Sequence, residues 1–208
     1  MASPRILVIG TTNPGKGAEL AQLLAPHGFA VKTLKDFGSQ PEVVEDGETF
    51  AANARKKASE YATRLNAWVL ADDSGLEVAA LGGQPGVYSA RYAGVDGDDR
   101  ANNAKLLAEL GDLPAAKRGA RYRCHVAVAD ARGEVRAESF DVCGGRIRTT
   151  AAGSNGFGYD PLFEVVEFHK TFGELGSHVK AALSHRGRAM RAIVSQLRKL
   201  AEIGAWEQ

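Results

Sequence analysis

The sequence predicts an α/β protein built on a mixed β-sheet. Residues 5–10 form an apolar strand, and a polar loop and a helical stripe follow it, which is a strand–loop–helix unit. Residues 121–128 alternate between apolar and polar side chains, and a turn leads to a returning segment at 134–143, which predicts an antiparallel hairpin. A further apolar stripe after Arg186 predicts a closing helix.

The first elements alternate between strands and helices. The helix after the opening strand can end at Gly28, and its apolar stripe consists of Leu20, Leu23 and Leu24. Residues 29–34 predict a second strand, and a second helix begins near Glu48. The apolar face of that helix contains Phe50, Ala54, Ala58, Tyr61 and Leu65.

The middle of the chain contains shorter elements. Residues 68–71 and 76–80 predict two short strands, and a glycine-rich loop follows them. A helix is predicted at 98–110, with Asp98 or Asp99 as its N-cap. The order of elements suggests that this middle part forms a second lobe. The stripe of the closing helix consists of Met190, Ile193, Val194, Leu197 and Leu200.

Composition restricts the classes of function. The chain has 208 residues, of which 44% are hydrophobic and 25% charged, and these values are ordinary for a globular protein. The net charge of +1 gives no indication of nucleic-acid polymer or membrane binding, so an anionic ligand must be met by local cations. Cys124 and Cys143 lack metal-site spacing and are expected to be buried in a reducing compartment. Neither a membrane span nor a signal-peptide core is recognisable, so a cytoplasmic protein is expected.

A polar loop after the first strand is the first candidate site. It does not match the Walker pattern, but its hydroxyls, amide, backbone N–H groups and lysine suit a polyphosphate. Alternatively, Thr12 or Asn13 simply caps the helix, with Pro14 in the first turn. The candidate residues are Thr11, Thr12, Asn13, Pro14, Gly15 and Lys16.

Acidic residues form the second candidate site. Asp72 and Asp73 follow an apolar strand, and buried carboxylates need a partner such as a cation. Together with Glu45 they could bind Mg²⁺, which typically takes one or two protein carboxylates and completes its shell with water and phosphate oxygens. A carboxylate there could also accept a proton from water. The alternative is that Glu45 lies in a solvated turn and that Asp72 or Asp73 caps a loop.

The third candidate site lies between residues 153 and 187. Residues 156–161 present two aromatic rings between glycines, in a loop expected to build no core, and such a ring can stack on a nucleobase. Lys180 and residues 184–187 add donors that would face the keto oxygen of a 6-oxopurine rather than an adenine amine. Alternatively, Ser184 is a plain N-cap and Arg186 is solvated.

Taken together, these segments closely resemble the inosine triphosphate pyrophosphatase family, also called dITP/XTP or non-canonical purine NTP pyrophosphatases. Five motifs match in the family's order and span nearly the whole chain. They are Thr11-x-Asn13-x-x-Lys16, Ala71-Asp72-Asp73-Ser74-Gly75-Leu76, Gly82-Gly83-x-Pro85-Gly86-x-Tyr88-Ser89-Ala90-Arg91-Tyr92, Gly156-Phe157-Gly158-Tyr159-Asp160-Pro161 and Ser184-His185-Arg186-Gly187.

The resemblance implies a fold and an activity. It implies a single domain over residues 1–208, with an elongated mixed β-sheet flanked by helices and two lobes around a substrate cleft. It also implies a homodimer that uses Mg²⁺ to hydrolyse ITP, dITP or XTP to the monophosphate and pyrophosphate, which removes these nucleotides from the pool.

The resemblance also implies roles for residues. The loop from Thr11 to Lys16 would hold the phosphates, and Lys57 would face them. Asp73 would be the catalytic proton acceptor and a metal ligand, Glu45 would be the second metal ligand, and Ser74 would touch the substrate. The base would stack on Phe157, and its pocket would include Gly158, Tyr159, Asp160, Lys180, His185 and Arg186.

Two positions depart from the family pattern. Thr12 stands where a glycine is common, which predicts a stiffer phosphate loop. Residues 176–179 replace a stretch that is often acidic, so Lys180 is expected to lack its usual nearby negative charge.

Two other functions compete with this interpretation. One is a related pyrophosphatase for modified pyrimidine or methylated nucleotides, which has no evident need for Ser184, His185 and Arg186. The other is a nucleotide sensor without chemistry, which would need the base pocket but not Glu45, Asp72 and Asp73.

Overall fold

A computed structural model describes residues 5–207 and contains a mixed seven-stranded sheet within that range. The strand order is β2-β1-β3-β4-β5-β6-β7. β1 pairs in parallel with β2 and β3, whereas β6 pairs antiparallel with β5 and β7. The strands are β1 (Ile6–Ile9), β2 (Ala30–Thr33), β3 (Val69–Val78), β4 (Gly119–Ala129), β5 (Val135–Ile147), β6 (Phe163–Val165) and β7 (Lys170–Thr171).

Helices flank this sheet, and the predicted α/β class is confirmed. The α-helices are α1 (Pro14–Leu24), α2 (Phe50–Leu65), α3 (Asp99–Leu110), α4 (Ser177–Leu183) and α5 (His185–Glu202). Side-chain caps fix where three of them start, because Asn13, Thr49 and Asp98 each accept a hydrogen bond from a backbone N–H of the first turn. Asp98 was one of the two caps predicted for α3. No helix within residues 5–207 is long and apolar enough to cross a membrane.

The chain divides into two compact units. The first contains residues 1–73, 124–141 and 187–208, and the second contains residues 74–123 and 142–186. The boundaries fall inside β3, β4 and β5, so each of these long strands supplies residues to both units. The expected single domain and its substrate cleft stay predictions.

The first unit has an apolar core on each face of its strands. On β1, Leu7 and Ile9 pack with α1 and α5, whereas Val8 packs with α2. The same alternation continues on β3, where Leu70 belongs to the first core and Val69 to the second. Because side chains of a strand point alternately to opposite faces, a continuous apolar run suits a strand covered on both sides.

The second unit has its own core. Aromatic rings of Tyr122, Phe163 and Phe172 pack together with centroids 4.7–6.1 Å apart. The buried Arg118 guanidinium donates hydrogen bonds to backbone carbonyls, including those of Gly111 and Ile147. This ties the end of α3 to β5 through a fully buried side chain.

Several predicted elements need correction. The two short strands predicted at 68–71 and 76–80 are one strand, β3, so Asp72 and Asp73 lie inside a strand and not at its end. Tertiary contacts of both carboxylates outweigh the low strand propensity of Asp. The sequence also failed to predict α4, β6 and β7, which are short and lack a clear period.

Candidate functional site

In the first unit, the loop after β1 turns directly into α1. Asn13 is the N-cap and its Oδ1 accepts from the Lys16 backbone N–H at 3.0 Å, with Pro14 at the first helical position. The Thr11 hydroxyl accepts from the backbone N–H of Asn13 at 3.2 Å. The capping alternative is therefore correct for Asn13. A helix N-terminus also presents backbone N–H groups to an anion, so the cap is compatible with phosphate binding.

Other side chains of this loop are oriented by acidic groups. Thr12 donates its hydroxyl to Glu42 Oε1 at 2.7 Å, an interaction that a glycine at this position could not make. Lys16 lies with its Nζ 3.9 Å from Asp72 Oδ2. Gly15 lies between Pro14 and Lys16 in the first turn of α1.

Asp72 and Asp73 serve opposite faces of the sheet. Consecutive residues of a strand point to opposite sides, and the contacts follow that rule. Asp72 shares the side of α1, where it contacts Lys16 and the Cys124 thiol, and it is completely buried. Asp73 shares the side of α2, where it contacts Asn53 and Lys57. The alternation separates the two carboxylates, so they do not form a pair aimed at one ligand.

The α2 side brings two predicted metal ligands and one predicted phosphate-facing lysine together. Lys57 Nζ lies 2.5 Å from Glu45 Oε1 and 3.6 Å from Asp73 Oδ1. The amide of Asn53 donates to Asp73 Oδ2 at 3.1 Å. Lys57, Asp73 and Asn53 are all buried, so their charges interact with little screening by water.

Burial and charge shift the ionisation of this cluster. Burial raises the pKa of Asp73 and outweighs the opposing effect of Lys57 and Lys16, so its carboxyl has a higher pKa than an ordinary aspartate. Burial lowers the pKa of Lys57, but the charges of Asp73 and Glu45 outweigh burial and leave that pKa raised. Lys57 therefore stays an ammonium among carboxylates, while Asp73 is a more basic carboxylate than a solvated one.

The donor set suits a magnesium ion by its chemistry. Glu45 and Asp73 both reach the same ammonium, which shows that hard oxygen donors from two chain segments converge there. Within residues 5–207, no group of three or more His, Cys, Asp or Glu side chains is arranged to hold a metal ion. Two carboxylates are nevertheless the usual protein share of a Mg²⁺ site, because water and phosphate oxygens supply the rest.

In the second unit, one aromatic ring is in contact with two cations. The ammonium of Lys180 lies 4.7 Å from the centre of the Phe157 ring, and the Arg186 guanidinium lies 5.6 Å from it. Arg186 also donates to the Ser74 hydroxyl at 2.7 Å. These predicted substrate residues, which come from three separate segments, therefore lie together.

Asp160 contacts several members of the same group. Its carboxylate accepts from Lys180 Nζ at 2.5 Å, from the Phe157 backbone N–H at 2.9 Å and from the Tyr122 hydroxyl at 3.4 Å. The expectation that Lys180 lacks a nearby negative charge is therefore wrong, because Asp160 supplies one. His185 is buried and stacks on Tyr122 with ring centroids 4.6 Å apart.

The aromatic loop is more firmly held than predicted. Tyr159 is buried in the core of the second unit and donates its hydroxyl to the Ser89 carbonyl at 2.8 Å, so the expectation that this loop builds no core is wrong. The backbone of Gly158 is held from α3, since its N–H donates to Asp99 at 2.6 Å and its carbonyl accepts from Asn103 at 2.8 Å.

Two residues of these groups were missed from the sequence. Asn53 lies four residues before Lys57, so both project from the same face of α2, and this spacing could have identified it. Tyr122 was interpreted only as a strand residue. No sequence signal distinguishes its contacts with His185 and Asp160 from ordinary core packing.

The comparisons with known proteins agree with one another. The model of the Ham1 family matches residues 7–196. A dITP/XTP pyrophosphatase of Rhodopirellula baltica is 55% identical over 196 residues, covering 94% of each chain. One of Desulforamulus reducens is 49% identical over 194 residues, covering 93% of this chain and 96% of the relative.

Solved structures agree with this assignment. The Staphylococcus aureus Ham1 protein is 36% identical with a TM-score of 0.81, covering 93% of this chain and 98% of that protein. A nucleoside-triphosphatase / dITP/XTP pyrophosphatase of Mycobacterium abscessus is 41% identical with a TM-score of 0.71, covering 90% and 96%. A family match over most of the chain, together with these relatives, shows that the chain belongs to the Ham1 family.

Proposed function

We propose that this protein hydrolyses non-canonical purine nucleoside triphosphates, such as ITP, dITP and XTP, to the monophosphate and pyrophosphate. Membership of the Ham1 family and the name dITP/XTP pyrophosphatase of its relatives support this activity. The observation that carries the proposal is that Glu45 and Asp73 converge on the buried Lys57 ammonium in the first unit. In the second unit, Arg186 contacts both the Ser74 hydroxyl and the Phe157 ring.

The residues of the first unit would bind the triphosphate. The backbone N–H groups at the start of α1 and the Lys16 ammonium suit phosphate oxygens. Lys57 is held as a buried ammonium and would offset negative charge that develops on the leaving pyrophosphate. Thr11, Thr12, Asn13, Pro14 and Gly15 complete the proposed phosphate loop.

The residues of the second unit would bind the base. Phe157 would stack on the purine, as aromatic platforms do with unpaired bases. Donors on Lys180, His185 and Arg186 would favour a keto oxygen over the amino group of adenine. Ser74 would contact the substrate, and Gly158, Tyr159 and Asp160 would hold the pocket in shape.

In the proposed reaction, a water molecule attacks the α-phosphorus in line with the bridging oxygen to the β-phosphorus. A new phosphorus–oxygen bond forms to the water, the bridging bond breaks, and pyrophosphate leaves. Asp73 takes one proton of the water. Most of the acceleration would come from positioning and charge stabilisation.

Magnesium is the proposed cofactor. Glu45 and Asp73 would hold it, and when bound it would neutralise charge on the phosphate oxygens. Chelation with EDTA should therefore abolish pyrophosphate release, and excess Mg²⁺ should restore it. Binding of ITP without any release of pyrophosphate would instead favour the nucleotide sensor.

A substrate panel tests the proposed specificity. Pyrophosphate release with Mg²⁺ should be much faster with ITP and XTP than with ATP or dTTP. Similar rates with all four would contradict the 6-oxopurine pocket. Rates highest with modified pyrimidine nucleotides would support the related pyrophosphatase instead.

The replacement Asp73→Asn tests the proposed catalytic residue. It keeps the size of the side chain but removes the proton acceptor, so kcat should fall by about 10³-fold or more. The thermal midpoint should change little, because asparagine can still accept the hydrogen bond from Asn53. Normal turnover by this variant would rule out the assigned role.

We also propose a homodimer and a cytoplasmic location. Cys124 and Cys143 are buried free thiols, which suits a reducing compartment. Light scattering of the purified protein would test the dimer, and localisation of a tagged chain would test the compartment.

A further inference from the structure

We infer that Asn53 is a positioning residue that holds the segment carrying Glu45 in register with Asp73. The inference rests on the proposed function, because it assigns these two carboxylates to the same reaction. Asn53 is 1% exposed and lies on α2, one turn before Lys57. Its side-chain hydrogen bonds go to Gly47 and Asp73, neither of which belongs to the proposed phosphate loop or base pocket, so its effect would pass through the carboxylates.

The Asn53 amide forms three hydrogen bonds that together join two segments. Its Oδ1 accepts from the Gly47 backbone N–H at 2.8 Å, and its Nδ2 donates to the Gly47 carbonyl at 3.3 Å. The same Nδ2 donates to Asp73 Oδ2 at 3.1 Å. A single rigid amide group therefore sets the distance from Gly47 to Asp73. Glu45 is two residues before Gly47 in the chain.

The contact requires glycine at position 47. A Cβ on Gly47 would lie 2.6 Å from Asn53 Oδ1 and 2.9 Å from the Ala52 Cβ, both too short for real contacts. Gly47 is not held at a positive φ, so its need is close approach and not backbone freedom. The presence of glycine at position 47 is therefore what allows Asn53 to approach this segment so closely.

Two ion pairs also involve this segment. Lys56 pairs with Asp46 at 2.6 Å, but the Asp46 side chain is 66% exposed, and solvated pairs hold positions weakly. The buried Lys57 ammonium contacts the side chain of Glu45 and not the backbone of the segment. The short, buried amide of Asn53 is the more rigid link, which is why we assign the positioning to it.

The replacements Asn53→Ala and Gly47→Ala test this from both partners. Each should lower kcat for ITP by about 10- to 100-fold, as loss of groups that orient ligating carboxylates does, with KM changed by less than about threefold. Each should also raise the Mn²⁺ concentration that half-saturates the protein, measured by electron paramagnetic resonance without nucleotide. Lys56→Ala is the matched control and should leave both values within about twofold.

The double variant provides the sharpest criterion. If both residues act through one contact, Asn53→Ala with Gly47→Ala should lose little more kcat than the worse single variant, whereas independent roles would multiply the losses. Thermal midpoints identify variants that are folded at the assay temperature. If Asn53→Ala does not fold, Gly47→Ala still tests the inference, since Gly47 is only partly buried and its neighbours Asp46 and Glu48 are exposed.

Three results would overturn the inference: folded single variants with unchanged kcat and unchanged Mn²⁺ binding, a rise of KM alone, or multiplicative losses in the double variant. Failure of the proposed function looks different. In that case the unaltered protein would release no pyrophosphate from ITP, while weakened Mn²⁺ binding by both single variants would still support the positioning role of Asn53.

Discussion

Lys57 and Lys180 are two buried lysines with similar first contacts and different surroundings. Each residue is 6% exposed and has its ammonium 2.5 Å from a carboxylate, Glu45 for Lys57 and Asp160 for Lys180. Lys57 has a second carboxylate, Asp73, at 3.6 Å. Lys180 instead has the Phe157 ring at 4.7 Å and the Phe172 ring at 5.8 Å.

The difference shows how one residue type can serve two tasks. Around Lys57, two carboxylates face one buried ammonium, so negative charge predominates in the contacts of this lysine. Around Lys180, cations and rings predominate, and Asp160 holds the ammonium at the ring face. The first arrangement suits charge changes during a reaction, and the second suits recognition of a flat, uncharged base.

Removal of each ammonium gives the largest expected contrast. Lys57→Met should lower kcat by about 10²- to 10³-fold, because an oriented positive charge on developing negative charge is lost. Lys180→Met should mainly change the ratio of kcat/KM for ITP over ATP, by about tenfold, because a base-edge donor is lost. Steady-state kinetics with both nucleotides would measure this.

The stability of the Lys57→Met and Lys180→Met variants serves as a control for the kinetic comparison. Each replacement leaves a largely buried carboxylate without its ammonium, so both should lower the free energy of unfolding by about 3–5 kcal/mol. Equal losses of kcat in the two variants would break the comparison between the two lysines.

Glycines 156 and 158 sharpen the contrast within the second unit. A Cβ on Gly156 would lie 2.0 Å from Asp160 Oδ2, whereas one on Gly158 would meet nothing within 4 Å. Both glycines have positive φ, where any other residue is strained. Because Gly158 has free space around it, Gly158→Ala should lower the free energy of unfolding only by this backbone strain, about 1–2 kcal/mol. Gly156→Ala should lower the free energy of unfolding by more than this, because the Asp160 side chain must move. The same movement should weaken discrimination between ITP and ATP. Chemical denaturation and kinetics measure the two effects.

Acid should affect ion pairs in both units, with smaller effects. Hydrogen bonds from Arg146 and Arg148 hold the pKa of Glu164 below its usual 4.5 in the second unit. In the first unit burial raises the pKa of Glu138, but hydrogen bonds from Arg55 and His125 outweigh burial and leave that pKa low. Because both pKa values are lower in the folded state, the stabilisation is present above about pH 4.5 and disappears as pH falls through the folded values.

Two arginine replacements check this pH dependence. Arg55→Ala should lower the free energy of unfolding by only about 0.5–1 kcal/mol at neutral pH, because the pair of Arg55 with Glu138 is partly solvated. Arg146→Ala should cost about 1.5–3 kcal/mol, because the Glu164 side chain is only 5% exposed. Denaturant titrations at about pH 7 and about pH 3 should show both costs shrinking in acid. A cost that persists at the lower pH would show a packing effect instead.

The sequence predicted the long periodic elements and the polar clusters better than it predicted their geometry. The stripes of α2 and α5 come from a 3.6-residue period, which is a local property. The continuity of β3 through Asp72 and Asp73 depends on Lys16 and Lys57, which are distant in sequence. Motif matching found both Lys180 and Asp160 but not their pairing, since this pair forms only when α4 folds against the aromatic loop.

The alternation of side chains along β3 also constrains how this chain can change in evolution. Deleting one residue of β3 before Asp72 would turn every later side chain to the other face. Asp73 would then face Lys16 and Ser74 would face Lys57, so two chemically different groups would fail together. A one-residue change in this strand before Asp72 therefore affects both groups at once, whereas a surface loop that carries none of the proposed site residues tolerates insertions far better.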